Sequence, residues 1–298
     1  MSASDPFHHV RDANYFELPR GLHIDLPEIA GFQVTKFMVL QVIAAVIVFV
    51  IFKGLAKRAR TGQPVAGRFW NFWEAIALFL RDELIRPTIG DGHHDHGHDD
   101  DHGHGDHGHD AHGHSDDGPH FADQYAPFIL SCFFFILICN LLGAIPWMGS
   151  ATGNINVTGV LALCAFGATT IYGVQAMGVG GFFGNLIPDT GMSGAAGLAM
   201  SIGMFLIELL GFLIKHTILA LRLFGNIMGG HTALAIILGF IAVSYQHGVS
   251  TGLWATITFG SVAGQVGVGI LELLVAVLQA YVFSFLATIF IAGSIHKH

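Results

Sequence analysis

The sequence predicts an all-α polytopic membrane protein. It has about three conventional spans, an amphipathic helix on the membrane surface, and two long tilted helices forming a membrane hairpin. Three observations predict it. Apolar runs of spanning length recur along a chain of 298 residues that is 52% hydrophobic and 11% charged. From residue 124 onward the only charged residues are Asp189, Glu208, Lys215, Arg222, Glu272 and Lys297. The net charge of −8 comes from one tract, residues 91–118, which carries nine Asp and no Lys or Arg; without it the balance is about +1. There is no case for nucleic acid binding, and no cofactor is expected.

Residues 1–34 are polar, carry Pro6, Pro19 and Pro27, and read as an exposed N-terminal segment. They show no basic region followed by a short apolar core, so no cleavable signal is expected. The first span, 35–57, is built on the run Phe37 to Phe52, interrupted only by Gln41. Lys53, Lys57, Arg58, Arg60, Arg68, Arg81 and Arg86 follow, seven of the thirteen basic residues. The positive-inside rule puts this loop in the cytoplasm and the N-terminus outside.

Residues 58–90 form a basic linker and a helix, Phe69 to Ile85, with Phe69, Trp70, Trp73, Ile76, Ala77 and Leu80 on one side. Tryptophans on such a face suit the headgroup level of a cytoplasmic membrane surface. Phe72, Leu78 and Phe79 fall off that face, so a helix packed on a partner is the alternative. Pro87 and Gly90 are expected to end it.

Residues 91–118 are low in complexity, with His93, His94, His96, His98, His102, His104, His107, His109, His112 and His114 among Asp and Gly. Such a composition reads as a solvated loop. Ten His without Cys also suit weak, multivalent binding of zinc, nickel or copper, with no specific site. The cysteines, Cys132, Cys139 and Cys164, all lie in apolar runs and read as small buried hydrophobes.

Residues 119–298 form the main membrane domain. Spans are expected at about 125–147, stopped by Pro146, and at 157–177, opened by Asn156 and Thr158. Gly178 to Gly194 reads as a Gly-rich loop. No proline follows Pro188, and two apolar blocks lie at about 195–243 and 253–292. Unbroken, these helices would be about 73 Å and 60 Å long, against a hydrocarbon core of about 30 Å. Either each block breaks in two, with Gly225, Gly229 and Gly230 as a bend point, or both helices are strongly tilted. The short joint between them favours an antiparallel pair.

The chemistry lies in these two blocks. Arg222 stands in an apolar run, and its guanidinium cannot shed its proton. Such a charge costs about 2.5–3.5 kcal/mol mid-helix in lipid on insertion scales, and it marks a functional position by default. Glu208 lies fourteen residues earlier, about 21 Å along a helix and within roughly 40° of the same face. Lys215 is one heptad before Arg222, and Asn226 is its i+4 neighbour. His231 sits on nearly the opposite face, while Glu272 and Gln279 share a face of the second block. One permanent cation with two carboxylates, an imidazole and two amides on paired helices suits a proton relay.

Each residue also has a plainer reading. Arg222 could pair structurally with Glu208 or Glu272. Glu208 could snorkel to the interface, as could Lys215 with His216, which are secondary candidates. Glu272 could be structural, His231 an ordinary interior histidine, and Asn226 and Gln279 interhelical glue. Gly260, Gly264, Gly267 and Gly269 give a smooth surface for close packing with an internal helix or another subunit.

The run Leu221 to Gly230, LRLFGNIMGG, resembles the signature of subunit a of F-type ATP synthases, with Arg222 as its essential arginine. Asn140 to Pro146 (NLLGAIP), Asn154 to Thr158 (NINVT) and Leu278 to Ala280 (LQA) agree with it, and the resemblance covers about residues 35–293. It implies a non-catalytic stator subunit in a bacterial plasma (inner) membrane, with the His-rich loop and C-terminus cytoplasmic. It implies a c-subunit rotor ring and peripheral-stalk b subunits as partners, besides membrane lipid. It also implies two offset half-channels, with Asn226, His231, Glu272 and Gln279 on the outer path and Glu208 on the cytoplasmic one. One feature departs from the commonly described bacterial pattern: there an acid stands at the position of His231 and a histidine at that of Glu272. The competing function is a divalent-metal (zinc) transporter, because Asp/His tracts also resemble the cytoplasmic loops of zinc transporters. Such a protein should carry His and Asp ligands within its spans, and these spans hold only His216 and His231.

Overall fold

The computed structural model describes residues 15–18, 22–29, 32–59, 67–90, 120–145, 149–185, 195–246 and 250–295. The histidine tract, Asp189 and Lys297 lie outside the described residues. Two short antiparallel hairpins precede the helices: β1 (Tyr15–Leu18) with β2 (Leu22–Asp25), and β3 (Glu28–Ile29) with β4 (Phe32–Gln33). They were not expected from the sequence. The membrane body is helical throughout, and five of its helices are long and apolar enough to cross a bilayer.

Helix α1 (Lys36–Ala59) is the first span, and Lys57 and Arg58 in its last turn face the negative end of the helix dipole. The second helix is longer and less regular than the sequence implies. It runs as α2 (Arg68–Phe79), a π-helical segment Leu80–Ile85, and α3 (Arg86–Ile89). Pro87 does not end it. Proline lacks a backbone donor and crowds the carbonyl four residues back; the wider π segment directly before it resets the register, so Pro87 falls in the first turn of α3. Gly90, at φ 73°, is the stop.

The second helix packs on this chain itself. Leu80, Leu84, Ile85 and Ile89 are fully buried, and Trp70, Trp73, Ile76 and Ala77 are half-buried. Phe69, expected on the same side as Trp70 and Trp73, is exposed along with Phe72 and Phe79.

Helix α4 (Ala126–Gly143) is the central pillar. It tolerates Pro127 because the residue falls in its first turn. It ends before Pro146, consistent with the aversion of pre-proline residues to helix. Gly143 lets Ser150 close on the helix end: a Cβ there would lie 2.6 Å from the Ser150 hydroxyl.

Helix α5 (Ile155–Asn185) opens two residues earlier than expected, because the capping group is the Asn154 side chain, which accepts from the Asn156 N–H at 2.9 Å. It kinks at Gly178, where φ is 75°. The expected loop is therefore helical up to Asn185, and this last stretch seats Phe182 over Gly173, where a Cβ would meet the ring at 2.6 Å.

Helices α6 (Ala195–Gln246) and α7 (Thr251–Ile295) are each continuous, at 52 and 45 residues. Gly225, Gly229 and Gly230 do not break α6. At about 78 Å and 68 Å, neither can stand upright in a bilayer, which settles the choice in favour of tilt. The two pack on each other, α4 packs on α7, and α5 lies against both. Ala276, Ala280, Phe283, Ala287 and Ile291 form the buried stripe of α7. The spans differ sharply in cover: 61% of the apolar window of α4 is buried within the chain, against 11% for α6. Most of the surface of α6 is left uncovered by the described residues.

Candidate functional site

Helix α6 presents its polar residues to different surroundings. Leu219, Leu223 and Ile227 turn inward at helical spacing and are buried. This places Arg222 on the open side, where it is exposed, and no carboxylate among the described residues pairs with it. Glu208 and Lys215 are exposed on the same helix, and Asn226 is half-buried. Arg222 is therefore not locked to Glu208 or Glu272, and its structural-pair reading fails.

His231 turns the other way, as its spacing requires, and meets α7. Its Nε2 lies 3.8 Å from Oε1 of Glu272, with the two side chains 20% and 12% exposed. Gly230 allows this approach: a Cβ there would sit 2.9 Å from the same Oε1. Gly230 is not a bend point but the floor beneath the Glu272 carboxylate. Two turns along α7, Gln279 is buried at 4% exposure, and its Nε2 has no partner among the described residues. The structure thus brings His231 and Glu272 together across the helix pair, with Gln279 further along the inner face of α7. Arg222 and Glu208 stay on the open face.

Two placements differ from expectation. His216 does not snorkel: it is 2% exposed, enclosed by the rings of Phe166, Phe212 and Phe290, with Nδ1 donating to the Phe212 carbonyl at 2.9 Å. The glycine face of α7 is mostly open, since only Gly264 has an atom of another helix, from Ile237, near its Cβ position.

A further polar group escaped the residue-by-residue reading. Asn140 on α4 is buried and donates from Nδ2 to the Ala276 carbonyl on α7 at 3.2 Å. Its Oδ1 accepts from Thr152 at 2.8 Å, and Thr152 contacts Ser150 at 2.9 Å. This buried chain ties α4 and the turn Ala151–Gly153 to α7, less than one turn from Gln279. The signal was present in the sequence as an asparagine inside an apolar run.

The described residues thus form a polytopic helical membrane protein with an exposed arginine on an under-packed helix and a histidine–carboxylate pair behind it. The comparisons with known proteins are specific. Residues 116–292 match the family model described as ATP synthase A chain. The chain is 33% identical to ATP synthase subunit a of Chloroherpeton thalassium, over 98% of this chain and 76% of the relative. It is 34% identical to the Myxococcus xanthus protein of the same name, over 89% of this chain and 75% of the relative. A third such protein, from Chlorobium phaeobacteroides, is 31% identical over 97% of this chain and 75% of the relative. The chain belongs to the ATP synthase subunit a family.

Proposed function

We propose that this chain is the stator of a proton-driven rotary ATP synthase, a non-catalytic subunit that exchanges protons with a ring of c subunits turning against α6. The observation that carries the reading is Arg222, exposed and without a carboxylate partner among the described residues, on the least covered span of the chain. A rotor carboxylate can face lipid only when neutral, because low dielectric disfavours its anion. Beside a permanent guanidinium the anion is favoured and the proton leaves. Arg222 then separates loading from unloading and blocks a direct leak.

Protons reach the ring from outside by way of Asn226, His231, Glu272 and Gln279, and leave to the cytoplasm past Glu208. His231 and Glu272 hand the proton across the α6–α7 gap, the imidazole and carboxylate serving in the reverse order to the common bacterial arrangement. Each charge carried through the membrane potential is worth about 2.3 kcal/mol per 100 mV, which the ring delivers as torque. The N-terminus lies outside, the histidine loop and the C-terminus lie in the cytoplasm, and peripheral-stalk b subunits hold the chain against rotation. The metal-transporter reading has no support from the family match.

The test is Arg222→Ala in the assembled complex. Assembly is retained and ATP-driven proton pumping into inverted membrane vesicles is abolished; normal pumping in this variant overturns the proposal.

A further inference from the structure

A second feature lies away from the proton path. Between α2, α4 and α7 is a cleft of about 790 Å3, walled by Trp73, Ile76, Phe133, Leu137, Leu274 and Val277 among others, with no polar surface. Its size is within the roughly 300–1,000 Å3 range of small-molecule sites. The indole Nε1 of Trp73 is buried behind this wall, with no acceptor among the described residues, and does not open into the cleft.

One end of the cleft adjoins a basic corner. Trp73 is one turn along α2 from Trp70, and Phe69 contacts both rings, at 5.3 and 6.0 Å between centroids. Trp70 is seated against Gly54 of α1 and lies under the Arg58 guanidinium at 4.1 Å. Lys53 and Lys57 on the last turns of α1, and Arg68 at the start of α2, are exposed around this contact. Glu74 is the only acid of α2. An apolar groove and a group of exposed cations thus lie within a few turns of helix.

We propose that the cleft is a binding site for one anionic phospholipid of the bilayer. An acyl chain fills the apolar groove, and the phosphate meets the exposed Lys53, Lys57 and Arg68. A partner's apolar helix could fill the groove, but it brings no anion to the corner. Clusters of Lys and Arg next to a span are suited to anionic headgroups. The site needs only membrane embedding and stands apart from the proposed proton path.

The test uses the purified whole complex, exchanged into detergent with either phosphatidylglycerol or phosphatidylcholine and then washed. Retained lipid is counted by extraction and by native mass spectrometry. The complex is expected to retain phosphatidylglycerol in preference to phosphatidylcholine. Lys53→Gln and Arg68→Gln should each lower that preference by roughly fivefold, the share of a single juxtamembrane cation. Val277→Trp, which fills the cleft from an exposed position, should abolish retention of both lipids while assembly and pumping continue. As a second measurement, a photoreactive phenylalanine analogue in place of Phe72 should crosslink to lipid. Equal retention of the two lipids, indifference to these substitutions, or crosslinking to a protein helix in place of lipid would each overturn the proposal.

Discussion

Nε2 of His231 and Oε1 of Glu272 face each other at 3.8 Å across the two longest helices of the molecule, in a gap that Gly230 keeps open. Neither helix carries both groups, so the spacing depends on how α6 and α7 lie against each other. A pair that works by proton transfer is symmetric in one respect: either side of the gap can hold the acid.

Exchanging the two residues, His231→Glu with Glu272→His, should therefore keep measurable pumping. Glu272→Ala should lower it by roughly 100-fold or more, the lower end of what a positioned proton-transfer group contributes. Fluorescence quenching of a pH-sensitive acridine in inverted vesicles reads both. Equal damage from exchange and truncation means that the two do not form one relay.

Gly230→Ala isolates the geometry from the chemistry. A methyl group there would lie 2.9 Å from Oε1 and 3.0 Å from Cδ of Glu272, so the carboxylate must swing aside. Alanine favours helix over glycine by about 0.5–1 kcal/mol, and the complex should be at least as stable as the parent. Pumping should nevertheless fall by about tenfold, because displacement near 1 Å can cost that much or more. Adding Glu272→Asp, with its shorter side chain, should restore part of the loss; full pumping by the single variant would show that the close approach is dispensable.

A second ion pair sets an acid limit on stability outside the membrane. Arg86 donates to both oxygens of Asp123, at 3.0 and 2.8 Å. This hydrogen bonding, aided by the guanidinium charge, holds the Asp123 carboxyl below its ordinary value of 3.8. A lowered folded-state value means that the stabilisation is complete above the ordinary value and disappears as pH falls through the folded one. Asp123→Asn should lower stability by up to about 1 kcal/mol at pH 7, given a partly exposed pair. The gap between parent and variant in thermal unfolding should close as pH falls below the ordinary carboxyl value of 3.8. A gap that persists undiminished in acid would assign the loss to packing.

The same contact bears on the histidine tract. Arg86 and Asp123 pin α3 to the turn Phe121–Gln124, so the chain leaves and re-enters the membrane domain at nearly one place. Deleting Asp91 to Gly118 replaces a long excursion by a short one without moving either end. Proton pumping and ATP synthesis should stay near normal, and weak zinc binding, read by calorimetry on the intact complex, should be lost. A dead complex would give the tract a mechanical role.

Much of this was legible in the residues themselves. The five spans, the basic loop and the isolated Arg222 follow from hydropathy and charge, which are local properties. The opposed faces of Arg222 and His231 follow from 3.6 residues per turn, and both residues lie where that period puts them. What was misread depended on neighbours distant in sequence. His216 looked like a partner of Lys215 at the interface, but three phenylalanines from three helices enclose it. Pro87 looked like a stop, yet the π segment before it lets the helix continue to Ile89.

The amino-acid order alone determined that the chain lives in a bilayer, that its charges there are few, and which residues bear them, because the expense of a charge in hydrocarbon is set by residue type. Only the tertiary structure decided that α6 and α7 run unbroken, that Gly230 serves Glu272 and not a bend, and that Arg222 faces outward without a carboxylate partner among the described residues. Those outcomes depend on which helix surfaces meet. Contacts between residues far apart in the chain decide that, and no periodicity within one segment encodes them.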